Sequence, residues 1–154
     1  MDISYMELNE DRIDLIKTLW EKLRDHHREL SPYFPERYAE FTFQKRKEDL
    51  LEKSENGILR IDTAYDETSK QFIGYCISSI LDEKVGEVDS IYLDEEYRSS
   101  GIGDALIKRA LNWMDQNSVE TKRIIVAAGN ENTLAFYSRY NFFPKHIILE
   151  HSNK

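Results

Sequence analysis

The chain has 154 residues, close to the ~150 of an average domain, and 21 Lys and Arg against 29 Asp and Glu give it a formal charge of -8. An acidic chain has no long-range attraction for the phosphates of nucleic acid or of anionic lipid. Its one cysteine, Cys76, cannot form an intramolecular disulfide, and no Cys/His cluster has zinc-ligand spacing. Residues 1–12 are acidic where a signal peptide would be basic and then apolar, and no run approaches the ~20 apolar residues of a membrane span. The expectation is one domain over residues 1–154, cytoplasmic, with no metal and no nucleic-acid or membrane partner.

Over residues 9–27, Ile13, Ile16, Trp20 and Leu23 recur at steps of three and four, which predicts an amphipathic helix with Asn9 as its N-cap. Pro32 and Pro35 end that pattern, and Pro35 can open a second helix over residues 35–53. Its charged second half, residues 44–53, is expected on the surface. Leu59, Ile61, Thr63 and Tyr65 then alternate as in a strand, and residues 66–69 supply a turn. Residues 71–81 are nearly all apolar or small, as in a strand buried on both faces, and residues 85–93 form the next strand. Ile102, Leu106, Ala110, Trp113 and Met114 line one face of a helix entered through Gly101 and Gly103. A strand over residues 122–128 follows, then a short helix through Leu134, Phe136, Tyr137 and Tyr140 that Asn141 can close in a left-handed conformation. Residues 144–150 read as a last strand. The order β-α-α-β-β-β-α-β-α-β describes a mixed α/β (α+β) layer fold.

Residues 98–103, Arg-Ser-Ser-Gly-Ile-Gly, follow a strand and open a helix. The first N–H groups of a helix lack partners and carry partial positive charge, so a glycine-rich entry lets a pyrophosphate approach them, and Arg98 adds a forked donor. The segment is not a dinucleotide fingerprint, because Leu106 stands where its third glycine would be, and no G-K-[ST] of a Walker loop occurs.

The segment resembles the R/Q-x-x-G-x-G/A loop of the GNAT superfamily of acetyl-coenzyme A dependent N-acetyltransferases. Residues 130–142, Asn-Glu-Asn-Thr-Leu-Ala-Phe-Tyr-Ser-Arg-Tyr-Asn-Phe, are similar to the second signature of that superfamily, N-x-x-A-x-x-x-Y-E-K-x-G-F. Thr133 departs from the usual alanine and Asn141 from the usual glycine, and Ser99 and Ser100 replace a Gly-Lys pair, which removes one cationic phosphate contact. The resemblance covers nearly the whole chain. It implies the GNAT fold, a mostly antiparallel central sheet flanked by helices, with acetyl-coenzyme A as co-substrate and a primary amine of a small molecule or a protein as acceptor. A homodimer through sheet edges or the C-terminal region is compatible with it. The apolar run Ile147, Ile148 and Leu149 fits either that or burial within one chain.

By the same resemblance, Arg98, Ser99, Ser100, Gly101, Ile102 and Gly103 hold the pyrophosphate. Backbone groups of Ile91, Tyr92 and Leu93 and the side chain of Asn130 then meet the pantetheine arm, with Phe136 beside the cofactor. Tyr137 stands where the superfamily places a proton donor to the sulfur, and Arg139 fills a lysine slot. An amine acceptor also needs a base. Alternation puts Val85, Glu87, Asp89, Ile91 and Leu93 on one strand face, and Glu87 lies eleven residues before Arg98, where some GNAT enzymes carry a glutamate base. Burial would raise its pKa. Glu87, Asp89 and an ordered water all remain open as the base, and a polar stripe or salt bridge explains the two carboxylates equally. Asn130 also suits a helix N-cap. Tyr33, Phe34, Tyr38 and Phe41 fit either the core or an acceptor groove, and adjacent His26 and His27 point apart and read as surface or substrate-edge residues. Cys76 reads as a packed small residue. The alternative function is a non-catalytic acyl-coenzyme A sensor or interaction module.

Overall fold

The computed structural model describes residues 1–82 and 84–153. Five strands lie side by side in chain order: β1 (Ile3–Leu8), β2 (Ile58–Asp66), β3 (Gln71–Asp82), β4 (Val85–Leu93) and β5 (Thr121–Ile124). The first three pairings are antiparallel. β4 and β5 run parallel, since helix α4 (Ile102–Gln116) carries the chain back across the sheet between them. Helices α1 (Lys17–Leu30), α2 (Pro35–Glu40) and α3 (Phe43–Asn56) precede β2, and a short α5 (Leu134–Ser138) follows β5.

β3 is buried on both faces, as its composition predicts. Tyr75 and Ile77 join Ile13, Trp20 and Leu50 in one core, while Ile73, Cys76 and Ile80 join Leu106, Ile107 and Met114 of α4 in the other. The predicted turn before β3 is an Asx turn: Asp66 accepts from Thr68 N at 2.9 Å through its side chain and from Lys70 N at 2.8 Å through its carbonyl.

Two helical predictions change in detail. Residues Glu10–Ile16 form a 3-10 helix ahead of α1. There the three residues per turn stack Ile13 directly over Ile16, and both are fully buried. Asn9 occupies the cap position without a side-chain cap bond. The helix expected over residues 35–53 is two. Phe41 and Thr42 are extended, Phe41 packs edge-on against Trp20 at 5.4 Å, and the Thr42 hydroxyl accepts from Lys45 N at 3.1 Å to start α3.

The sheet is shorter than expected at its far edge. β5 stops at Ile124, and residues 144–150 form no strand. A strand needs a ladder partner for its N–H groups, and Pro144 removes one donor while β5 offers no extended edge beyond Ile124. Ile147, Ile148 and Leu149 are 85%, 87% and 90% exposed, so packing within the described chain does not account for that run. Among the described residues no helix is long and apolar enough to cross a membrane.

Candidate active site

The β4–β5 ladder ends at the pair Val88 and Ile124. Beyond it the strands part, and a cleft of about 900 Å³ opens between residues 89–93 and residues 124–127. The N-terminus of α4 closes one end, α5 forms the floor, and α1 with the start of α3 forms the opposite wall. One concavity thus gathers residues of both motifs, although Ser100 and Ile102 do not line it.

At the α4 end, Ser99 and Gly101 take left-handed conformations with φ of 64° and 86°. A Cβ on Gly101 would meet nothing within 4 Å, so the glycine answers a backbone requirement and leaves the entry to the helix open. The first-turn N–H groups of α4 have no intrahelical acceptors. Tyr97 donates to Asp66 at 2.7 Å and ties this loop to the β2–β3 turn. Arg98 donates to Leu93 O at 3.0 Å and lies over the Tyr92 ring. Asp104, a negative charge in the first turn of α4, is held by Arg139 at 2.7 Å and by the Tyr140 hydroxyl. Arg139 in turn lies 5.0 Å over the Phe136 ring.

Tyr137 on α5 lines the cleft between Phe136 and Phe142. Burial pushes its phenol up to about 12, so it stays protonated at neutral pH. Asn130 lines the same wall and makes no side-chain cap bond. The cap reading of that residue is therefore not realised.

Glu87 and Asp89 do not share a face with Ile91 and Leu93. Opposite them the β3–β4 register shifts between Ile77 and Ser78, so Asp89 is an extra residue in β4. Ile91 and Leu93 pack toward α4, whereas both carboxylates meet Lys53 of α3 on the other face. Lys53 Nζ donates to Glu87 Oε2 at 2.8 Å and to Asp89 Oδ1, and Arg123 Nε donates to Glu87 Oε1 at 2.7 Å. Burial works to raise Glu87, but hydrogen bonds with Asp89, Lys53 and Arg123 outweigh it and hold Glu87 below the usual value, contrary to expectation. The Asp89 side chain is fully buried; its Oδ2 makes no hydrogen bond of ordinary geometry among the described residues, though the Ser79 hydroxyl is near enough to favour the carboxylate. Burial first, and the Glu87 carboxyl second, push Asp89 up to about 6.

The sequence reading misses the cations of this region. Arg46, Leu50 and Lys53 recur at steps of four and three, so the charged half of α3 turns one face inward: Leu50 is fully buried, Arg46 donates to Asp89 O at 2.9 Å, and Lys53 reaches the carboxylates. That helical spacing, set against an acidic strand, is the signal that could have found them. Trp20, Arg24, His26, His27, Tyr38 and Phe41 complete this end of the cleft. Burial, then His26, lowers the pKa of His27, which faces the Tyr38 ring at 5.5 Å. Tyr33 is exposed outside the cleft. Cys76 is buried, and burial pushes its thiol up to about 12.

Relatives carry the same architecture. A Pyrococcus furiosus protein described as an acetyl transferase superposes with a TM-score of 0.73 at 21% identity, over 98% of this chain and 99% of that one. An aminoglycoside 6'-N-acetyltransferase from Acinetobacter baumannii gives 0.68 at 16%, over 99% of each chain. Glucosamine-6-phosphate N-acetyltransferase from Arabidopsis thaliana gives 0.61 at 13%, over 100% of each. At these identities the likeness is one of fold. An uncharacterised N-acetyltransferase of Methanocaldococcus jannaschii is 31% identical over 72 residues, 47% of this chain and 32% of that protein, so the chain spans about a third of its length. The profile of the acetyltransferase (GNAT) family matches residues 20–142, from Trp20 on α1 to Phe142 beside Tyr137. That span takes in the α4 entry loop, the bulged β4 and α5 together, and the chain belongs to the GNAT family of acetyltransferases.

Proposed function

We propose that the chain transfers an acetyl group directly from acetyl-coenzyme A to a primary amine. The observation that carries this reading is one continuous cleft joining an open helix N-terminus and a protonated phenol, with the buried Asp89 carboxylate behind a residue of its lining. The donor set suits a polyanionic cofactor. Residues 98–103 offer backbone N–H groups, the Ser99 hydroxyl and Arg98, whereas the Ser100 hydroxyl donates to Tyr97 O; the open space beside Gly101 leaves the N–H groups reachable. The unladdered edge of β4 at Ile91, Tyr92 and Leu93, with Asn130 and Phe136, offers polar and apolar contacts for the pantetheine arm. When bound, the cofactor supplies an acetyl thioester as the electrophile.

The proton work falls to this chain. Asp89 is the base that takes up the proton of the acceptor ammonium, because its pKa of about 6 leaves it ionised at neutral pH yet more basic than an ordinary aspartate. Lys53 and Glu87 are positioning residues that fix Asp89 and set its pKa. Glu87, with both oxygens engaged, is the weaker candidate for the base. Tyr137 donates its proton to the leaving sulfur.

Calorimetric titration with acetyl-coenzyme A against ATP, followed by thiol release over a panel of amines, tests the reading. Micromolar binding of the cofactor alone with turnover of at least one amine supports it. Binding without turnover of any amine would favour a sensor, and equal affinity for ATP would remove the cofactor assignment.

A further inference from the structure

The end of the cleft formed by α1 and α3 presents two arginines in a protein that is acidic overall. Among the described residues, four arginines, Arg24, Arg46, Arg98 and Arg139, line the cleft against three carboxylates, Glu87, Asp89 and Asp104; Lys53 is shared by Glu87 and Asp89, Arg123 adds to Glu87, and Asp104 holds Arg139. Arg98 and Arg139 belong to the α4 end. Arg24 and Arg46 stand on the opposite wall, where no phosphate of the cofactor is called for.

Both are held in place with donors to spare. Arg24 donates through Nε to Asp25 at 3.2 Å and through one terminal nitrogen to Phe41 O at 3.2 Å, with its guanidinium 5.6 Å over the Trp20 ring. Arg46 places one terminal nitrogen on Asp89 O at 2.9 Å. A guanidinium offers five N–H donors in a planar fork, so each keeps N–H groups that bond no acceptor among the described residues. An unattached fork beside a cleft matches the oxygens of a carboxylate or a phosphate, which it binds with charge-assisted hydrogen bonds. The bond from Arg46 to the Asp89 carbonyl also fixes that guanidinium one residue's backbone away from the proposed base.

Resting on the activity proposed above, we infer that the acceptor is a small amine that also carries an anionic oxyacid group, and that Arg46 and Arg24 bind that group. A polycation meets the wrong charge on this wall, contrary to what the acidity of the whole chain suggests.

Three probes of equal chain length separate the sources of the anion: an ω-amino carboxylate, its primary amide and the corresponding aminoalkyl phosphate. Each is titrated calorimetrically into the protein with coenzyme A present, and each is assayed for acetylation. The inference expects the carboxylate or the phosphate to bind about tenfold or more tightly than the amide, as lost charge-assisted bonds require. Whichever of the two binds more tightly identifies the anion. Arg46→Gln and Arg24→Gln should each weaken the anionic amine by about tenfold and the amide by under about threefold, with partial recovery in Arg46→Lys. Circular dichroism guards against misfolding. Anion-dependent binding without acetylation upholds this inference and overturns the proposed activity. Acetylation of the amide or of a polyamine with equal or better kcat/KM upholds the activity and overturns the inference, as does failure of both anionic amines to bind.

Discussion

Lys53 donates to Asp89 across the gap between α3 and the bulge in β4, and its second bond, 2.8 Å to Glu87, makes one cation serve two carboxylates. Their effects on Asp89 oppose each other: Glu87 raises its pKa and Lys53 lowers it. Asp89 is protonated below about 6 and cannot then accept a proton, so kcat/KM should rise with pH through about 6 and level off above it. Removing the cation in Lys53→Met should move that limb to higher pH, and removing the neighbouring carboxyl in Glu87→Gln should move it lower. Asp89→Asn should cost about 100-fold or more in rate. A pH profile unchanged in all three variants would exclude Asp89 as the base.

The phenol of Tyr137 acts as an acid only through its proton. Tyr137→Phe keeps the ring against Phe136 and should lower kcat by about 100-fold while changing the calorimetric Kd for acetyl-coenzyme A by under about threefold. Equal rates in the two proteins would take Tyr137 out of the proton path.

Gly101 separates a steric cause from a conformational one. An alanine Cβ there would meet no atom within 4 Å, yet φ of 86° is costly for any residue with a Cβ. Gly101→Ala should lose about 1–2 kcal/mol, seen as weaker binding of acetyl-coenzyme A or as a lower midpoint of urea unfolding. No change in either would mean that the loop relaxes freely.

Thr42 begins α3, the helix that carries Arg46 and Lys53 into the site. Thr42→Ala removes the bond from Lys45 N and should destabilise the protein by about 1 kcal/mol. Urea unfolding followed by tryptophan fluorescence measures it, since Trp20 packs against the neighbouring Phe41 and Phe43.

Cys76 is the chain's one thiol and is fully buried with its pKa near 12. A thiol reagent at pH 8 should leave the native protein untouched and label it at the rate of unfolding in denaturant. Rapid labelling without denaturant would contradict the packing of β3.

Elements governed by neighbours in sequence were legible, and the irregularities set by a pairing partner were not. The loop at residues 98–103, the left-handed Asn141 with φ of 66° and the doubly buried β3 all follow from local rules. The placement of Glu87 and Asp89 failed because a bulge belongs to two strands, and β4 alone does not announce that it carries one residue more than β3 requires. Thr42 was hidden because apolar Phe41 extends a helical pattern that tertiary contact with Trp20 interrupts. Arg46 and Lys53 looked solvated because charge was read before spacing. Burial of Leu50 between them reverses that reading.

The parting of β4 from β5 after Val88 also divides the sheet dynamically. Amides of the paired segment are shielded by a complete ladder and by α4, so they should exchange with solvent only through the larger openings of the protein. Groups on the far edge of β4 beyond Val88 have no such cover and exchange through small local fluctuations. The Asp89 carboxylate, rooted in that loosened stretch, is nonetheless fastened from the other face by Lys53 of α3. The part of the sheet that yields most easily to an entering ligand is thereby kept from carrying its charged groups along with it.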